Sequence, residues 1–147
     1  MIKAVGNLTC VGAGLDRTCT TFGEQGKMCA FSQEDIDAIK CSHNADGCYV
    51  SGYKHGLKFK FPYAVAKLGF GAKKANARPY KLEYNHSRMS DDDLWALVKL
   101  LRSIFGEEVA GSIWHSGNLS AVEFHADFSG INAGAIIPVN KSKAWSI

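Results

Sequence analysis

The most regular hydrophobic pattern in the chain lies in SDDDLWALVKLLRSIFG, residues 90–106. Ser90 is a typical N-cap, and the three aspartates that follow favour the positive end of a helix dipole. Gly106 is a typical helix stop. The apolar positions recur at helical spacing, at Leu94, Leu97, Val98, Leu101, Ile104 and Phe105. The pattern predicts a long amphipathic helix with one face packed on a sheet.

Residues 48–71 and 79–85 instead alternate between apolar and polar with a period of two, which predicts β-strands, and the polar stretch AKKANARP connects them. The segment 48–71 indicates two or three strands, joined at Gly52, Gly56 and Pro62. PYKLEYN (79–85) indicates a further strand. In GLKFKF the alternation directs the apolar side chains inward, namely Leu57, Phe59 and Phe61. It directs Lys58 and Lys60 outward.

The remaining patterns are shorter. SQEDIDAIK (32–40) predicts a short helix with Ser32 as N-cap and Asp35 in a variant of the capping box. The first 30 residues give only weak strand signals. SIWHSGNLSAVEFHADFSG indicates a hairpin that turns at residues 116–118. The sum is an α+β fold, a twisted antiparallel sheet covered by one long amphipathic helix and a short N-terminal helix.

Length and composition fit a single globular domain, 1–147, with a cysteine-rich part at 1–47. Hydrophobic residues make up 46% and charged residues 21%, ordinary values for a soluble protein. No apolar run approaches the roughly 20 residues that span a bilayer. The N-terminus lacks the layout of a secretory signal. We therefore expect a cytoplasmic protein with no membrane partner.

The cysteines all fall in the first third of the chain, at Cys10, Cys19, Cys29, Cys41 and Cys48. An odd number without an export signal argues against a disulfide framework. Cys41, His43 and Cys48 could bind zinc together with Cys29, but their spacings match no common zinc pattern. Small buried side chains and free thiols are the favoured interpretation.

The net charge is only +3, yet residues 54–88 concentrate the basic side chains against a single acid, Glu83. The basic residues are Lys54, Lys58, Lys60, Lys67, Lys73, Lys74, Arg78, Lys81 and Arg88. Interleaved with them are Tyr53, Phe59, Phe61, Tyr63, Phe70, Tyr80 and Tyr84. Cations can hold phosphates while flat rings stack on bases, so the segment predicts contact with nucleic acid. The alternative is a solvated sheet face whose aromatic residues form the core beneath.

The strand VEFHADFSG (122–130) places Glu123, His125 and Asp127 on one face, about 6–7 Å apart along the strand. Two of them could bind one metal ion, with a third ligand such as Glu83 from a neighbouring strand. Oxygen ligands with one imidazole suit Mg²⁺ or Mn²⁺. The alternative is a solvent-facing strand, or a strand whose His125 pairs with a carboxylate.

Residues 78–147 resemble the replication initiation proteins of filamentous phages and rolling-circle plasmids. The resemblance lies in the order of motifs, namely YKLEYN, the amphipathic helix, LSAVEFHADFSG and the basic tail IIPVNKSKAW. It implies a fold that nicks one DNA strand with a tyrosine, which becomes linked to the 5′ phosphate. It also implies a divalent metal held by acidic residues, which match Glu83, Glu123 and Asp127.

The chain departs from that family's pattern at four positions. Ala121 is found where the family has arginine, and Glu123 where it has aspartate. His125 replaces a small residue of the family, and His86 replaces its proline. The family's nucleophilic tyrosine lies in a part that would follow Ile147. Tyr63, in YAVAK, has the Tyr-x-x-x-Lys spacing of related nickases and is the candidate nucleophile here. Its ordinary interpretation is a partly buried strand tyrosine.

We therefore expect a phage or plasmid protein, related to rolling-circle initiators, without complete nicking activity. Its partner would be single-stranded or origin DNA, or a host protein that handles nucleic acid. One alternative is an active metal-dependent nicking domain. Another is an inhibitor of a host defence nuclease, like the anti-CRISPR proteins, built on an inactive fold. Carboxylates bound to a metal would favour activity, and carboxylates engaged by Lys or Arg would favour an inactive fold.

Overall fold

The computed structural model describes residues 2–3, 9–129 and 137–138. Its strands are β1 (Ile2–Lys3), β2 (Thr9–Phe22), β3 (Asp46–Gly47), β4 (Tyr53–Lys60), β5 (Val65–Ala72), β6 (Tyr80–Tyr84), β7 (Asn118–Ser129) and β8 (Ile137–Pro138). Its helices are α1 (Gln33–Ser42), α2 (Asp91–Phe105) and α3 (Glu107–Ser116), with a 3₁₀ turn at His86–Arg88. None of these helices combines the length and apolarity needed to cross a membrane.

The chain divides into two compact units. The smaller comprises Met1–Gly14 and Phe124–Ile147, and in it β1 pairs antiparallel with β8. The larger, Leu15–Glu123, holds the helices and most of the main sheet. That sheet is antiparallel, with the strand order β3-β4-β5-β6-β2-β7. The predicted organisation as one domain stays a prediction.

The core of the larger unit lies between one face of the sheet and the three helices. Leu57, Leu68 and Leu82 come from the sheet, and Leu97 and Leu101 come from α2. An aromatic cluster extends this core, with ring centroids 4.9–6.1 Å apart, and consists of Phe22, Phe31, Phe70, Tyr80 and Phe105. The α+β class is confirmed.

Both predicted helices form, and each begins with a complete capping box. At α2 the Ser90 hydroxyl accepts from the Asp93 N–H at 3.1 Å, and the Asp93 carboxylate accepts from the Ser90 N–H at 3.2 Å. Ser32 and Asp35 make the same exchange at α1. Gly106 ends α2 with φ near 83°, a conformation that glycine adopts without strain.

The prediction of a hairpin turning at 116–118 was wrong. Residues 107–116 form α3, which buries Ala110 and Ile113, and the strand begins only at Asn118. The cover of the sheet is therefore three helices in the described chain, not one long and one short helix. Two other details differ, because Gly56 lies inside β4 and the weakly patterned N-terminal segment forms the long strand β2.

Candidate nucleic-acid interface

The face of the sheet opposite the helices is called the outer face here. It carries the side chains that alternate with the core positions, including Arg17, Cys19, Lys58, Lys67, Lys81 and Glu83. Lys58 of β4 lies directly across from Lys67 of β5. Lys67 in turn lies across from Glu83 of β6, and Glu83 lies across from Cys19 of β2. The sheet register thus aligns residues far apart in sequence into one transverse row.

Arg17 organises the acidic side of the outer face. Its guanidinium lies 3.9 Å from a Glu83 carboxylate oxygen and 3.4 Å from one of Glu123. Its Nε and Nη2 also donate to the Cys19 Sγ at 3.4 Å each, and this hydrogen bond is the main cause that raises the Arg17 pKa. Lys81 adds a second cation at 3.1 Å from Glu83, and both of those side chains are only 15% exposed. Both glutamates are therefore neutralised by basic side chains.

These residues border a cleft of about 310 Å³ on the outer face. Its lining consists of Asp16, Arg17, Val65, Lys67, Glu83, Asn85 and Glu123. A divalent ion bound by both Glu83 and Glu123 would have to displace Arg17. The described residues contain no group of three or more histidine, cysteine, aspartate or glutamate side chains placed to hold a metal.

The other two residues of the predicted metal set belong to the smaller unit. His125 and Asp127 are exposed on β7, with Nε2 and Oδ2 4.0 Å apart. This contact matches the alternative in which His125 pairs with a carboxylate. Binding of Mg²⁺ or Mn²⁺ by Glu83, Glu123, His125 and Asp127 stays a prediction.

Lys58 and Lys67 differ from the other outer-face cations, because neither has an ion pair among the described residues. Both are half-buried and lie opposite each other. The nearest acids have other partners: Asp46 pairs with Lys60 at 2.8 Å, and Glu83 pairs with Lys81. The Cys48 thiol is close to both lysines; burial raises its pKa, and the two positive charges oppose that shift. Lys58 lies directly across from Asp46 on β3, and Lys67 lies directly across from Glu83 on β6, so a carboxylate stands on each side of the two lysines although its close ion pair is with another residue.

The remaining predicted basic residues have varied surroundings. Lys54, Lys60, Lys73, Lys74 and Arg88 are exposed. Arg78 is half-buried and donates to the Gly23 carbonyl at 2.9 Å, a contact that stabilises the loop after β2. A role in nucleic-acid contact stays a prediction for all nine residues.

The interleaved aromatic residues are mostly part of the core. Phe59, Phe70, Tyr80 and Tyr84 belong to the core cluster, and Phe61 packs against that cluster, while Tyr53 is buried outside it. Tyr63 is the exception, at 82% exposed. It lies in the turn between β4 and β5, so its interpretation as a partly buried strand residue was wrong.

Tyr49 is an exposed aromatic residue that the sequence did not single out. It is 74% exposed, and the Lys73 Nζ lies 5.7 Å from the centre of its ring. The sequence predicted residues 48–52 as the beginning of a strand, but β4 begins only at Tyr53, and Tyr49 lies in the loop that precedes it.

The thiols show no zinc cluster in the described residues. Cys19 is buried, Cys29 and Cys48 are half-buried and Cys41 is exposed, all as free cysteines. His43 contacts the Ser103 hydroxyl at 3.2 Å. The Cys10 side chain and most of the predicted basic tail, residues 136 and 139–145, lie outside the described residues.

No family model matches this chain, and the comparisons with curated proteins and with solved structures gave no match.

Proposed function

We propose that this protein binds nucleic acid through the outer face of its main sheet. In this proposal it is a phage- or plasmid-encoded relative of rolling-circle initiators that has lost a complete nicking site. The observation that carries the proposal is the placement of Arg17 between Glu83 and Glu123. These two carboxylates match the metal ligands of the initiators, and here a guanidinium occupies the position between them.

The unpaired lysines support the binding half of the proposal. The carboxylates across from these two lysines, Asp46 and Glu83, make their close ion pairs with Lys60 and Lys81, so the phosphodiesters of a nucleic acid would form the close contacts that Lys58 and Lys67 lack. Binding of this kind releases counterions from the nucleic acid and weakens as salt rises. Lys54, Lys73 and Lys74 add exposed positive charge around the end of the β4–β5 hairpin opposite its turn.

The test is a salt series of fluorescence anisotropy titrations with labelled single-stranded and duplex DNA. We expect the double variant Lys58→Gln/Lys67→Gln to lose about tenfold in affinity or more. The slope of log affinity against log salt should fall by about two, one for each lost phosphate contact.

The matched control removes the same charge from the helical side of the molecule. Lys40→Gln/Lys99→Gln changes two exposed lysines of α1 and α2. This variant should bind as the unmodified protein does. Equal losses in the two double variants, or no binding by the unmodified protein, would overturn the proposal.

The placement of Tyr63 favours an active nickase as a second candidate function. Tyr63 is exposed and precedes Val65 and Lys67, which both line the cleft with Glu83 and Glu123. Supercoiled and single-stranded DNA incubated with Mn²⁺ should stay intact under the first proposal. Cleavage that is lost in both Tyr63→Phe and Glu123→Ala would establish the nickase instead.

A further inference from the structure

Resting on the proposed function, we infer that the outer face binds single-stranded nucleic acid, with Tyr49 and Tyr63 as stacking platforms. The two tyrosines stand at opposite ends of the stretch that contains Lys58 and Lys67. A single strand would lay its phosphates against the lysine pair and its bases against the rings.

Tyr49 precedes Val50, which packs against two glycines of the outer face. Gly56 and Gly69 are direct partners on β4 and β5, and a Cβ on either would point away from the helices. Such a Cβ would meet Val50 at 2.8 Å in both cases. The segment that carries Tyr49 therefore crosses the outer face, while the ring itself extends into solvent with Lys73 above it.

Tyr63 marks the other end of the hairpin. The turn is closed by a hydrogen bond from the Phe61 N–H to the Ala64 carbonyl at 2.9 Å, and Tyr63 lies within it. From Gly56 to this turn, β4 runs for about six residues, or roughly 20 Å at strand spacing. That length suits the shorter sites of single-strand binding proteins, which begin at about four nucleotides.

The same geometry disfavours a duplex as the preferred ligand. Bases in a duplex are stacked on each other, so their faces are not available to an exposed ring. Proteins that read a duplex insert a helix or a two-stranded ribbon into the major groove. The three helices of the larger unit pack on the opposite side of the sheet, and the outer face offers lysines with a tyrosine at each end. Cations beside exposed rings are the arrangement typical of single-strand binding.

The experiment compares oligothymidylate, oligouridylate and a mixed-sequence duplex as ligands of the full chain. We expect both single strands to bind more tightly than the duplex. The variant Tyr49→Leu/Tyr63→Leu should lose roughly tenfold or more in single-strand affinity, with an unchanged salt slope because no phosphate contact is removed. Tyr49→Phe/Tyr63→Phe keeps both rings and should bind normally. The comparison of oligothymidylate with oligouridylate shows whether the site prefers deoxyribose or ribose.

Trp95→Leu is the matched control, since Trp95 is 60% exposed on α2, in the helical layer. Thermal unfolding checks that each variant is folded. A duplex bound as tightly as the single strands, or a Leu variant that binds normally, overturns the stacking inference and leaves the proposed function standing. Loss of binding in the Phe variant also overturns it, because the hydroxyls would then be the contacts. Absence of binding to all three ligands overturns both.

Discussion

Val50 depends on two residues that have no side chain. It is only 2% exposed, and the space it fills over the outer face exists because Gly56 and Gly69 lack a Cβ. A Cβ at Gly69 would also approach the Tyr53 ring at 2.9 Å. Neither neighbour is a free side-chain end, because both are buried in the larger unit.

The variant Gly69→Ala should therefore be destabilised. Val50 and Tyr53 would have to shift to admit the methyl group, and overpacking of this kind costs about 1–3 kcal/mol. Urea denaturation measures the change in the free energy of unfolding.

Gly111 provides the opposite case for the same substitution. It lies inside α3 with open space where its Cβ would be. Gly111→Ala should raise the free energy of unfolding by up to about 1 kcal/mol, because alanine is the better helix former. A similar response at both glycines would contradict the packing assigned to Val50.

At the scale of the element, α2 covers the core and its ends are fixed by local chemistry. Leu97 and Leu101 are the buried residues on its inner side. The capping box at its start satisfies N–H groups that the helix leaves unpaired. The substitution Ser90→Ala should lower the free energy of unfolding by about 1 kcal/mol. Ser90→Asp retains an acceptor and should lose much less. Thermal and urea unfolding of both variants distinguish the cap from a general effect of substitution at this position.

Elements with strong local signals could be predicted, and those with weak signals could not. The start and stop of α2 are encoded by Ser90 and Gly106 themselves. By contrast, α3 is a short run in which Ile113 and Trp114 also favour a strand, so a helix and a strand fit equally well. In β2 the core positions include Thr18 and Thr20, which leave no apolar alternation to detect.

The candidate site was predictable only in part, for a related reason. Glu83, Lys58 and Lys67 lie on strands in which apolar and polar residues alternate, so their position on one face follows from the pattern. Their register across the sheet is a tertiary property. Arg17 lies in the strand that the sequence did not predict, and its ion pairs with Glu83 and Glu123 could not be anticipated.

At the scale of the whole molecule, burial of tyrosines links stability to alkaline pH. Burial raises the pKa of Tyr53, Tyr80 and Tyr84 above the ordinary value of about 10. The folded protein then retains protons that the unfolded chain releases. The stabilising contribution is complete below about pH 10 and declines as pH rises through the higher pKa of the folded state.

Urea denaturation between about pH 8 and pH 11 should therefore show stability falling in the alkaline range. Tyr84→Phe removes one of the three phenols and should make that decline shallower. The change in the free energy of unfolding between about pH 8 and pH 11 is compared in the variant and the unmodified protein. A loss of stability caused by the missing hydroxyl alone is the same at every pH, so this comparison isolates the effect of titration. An equal decline in the two proteins would contradict the assignment.

The opposed lysines have a consequence for how this protein can change over time. Lys67 lies directly across from the like charge of Lys58 on one side and from the opposite charge of Glu83 on the other. Replacing Lys67 with threonine removes both the repulsion and the attraction, and threonine suits a strand, so the thermal stability of the fold should change little. Under the proposed function the same change weakens the grip on phosphate. Selection for stability alone would therefore not preserve Lys67, and its persistence would require selection for the ligand.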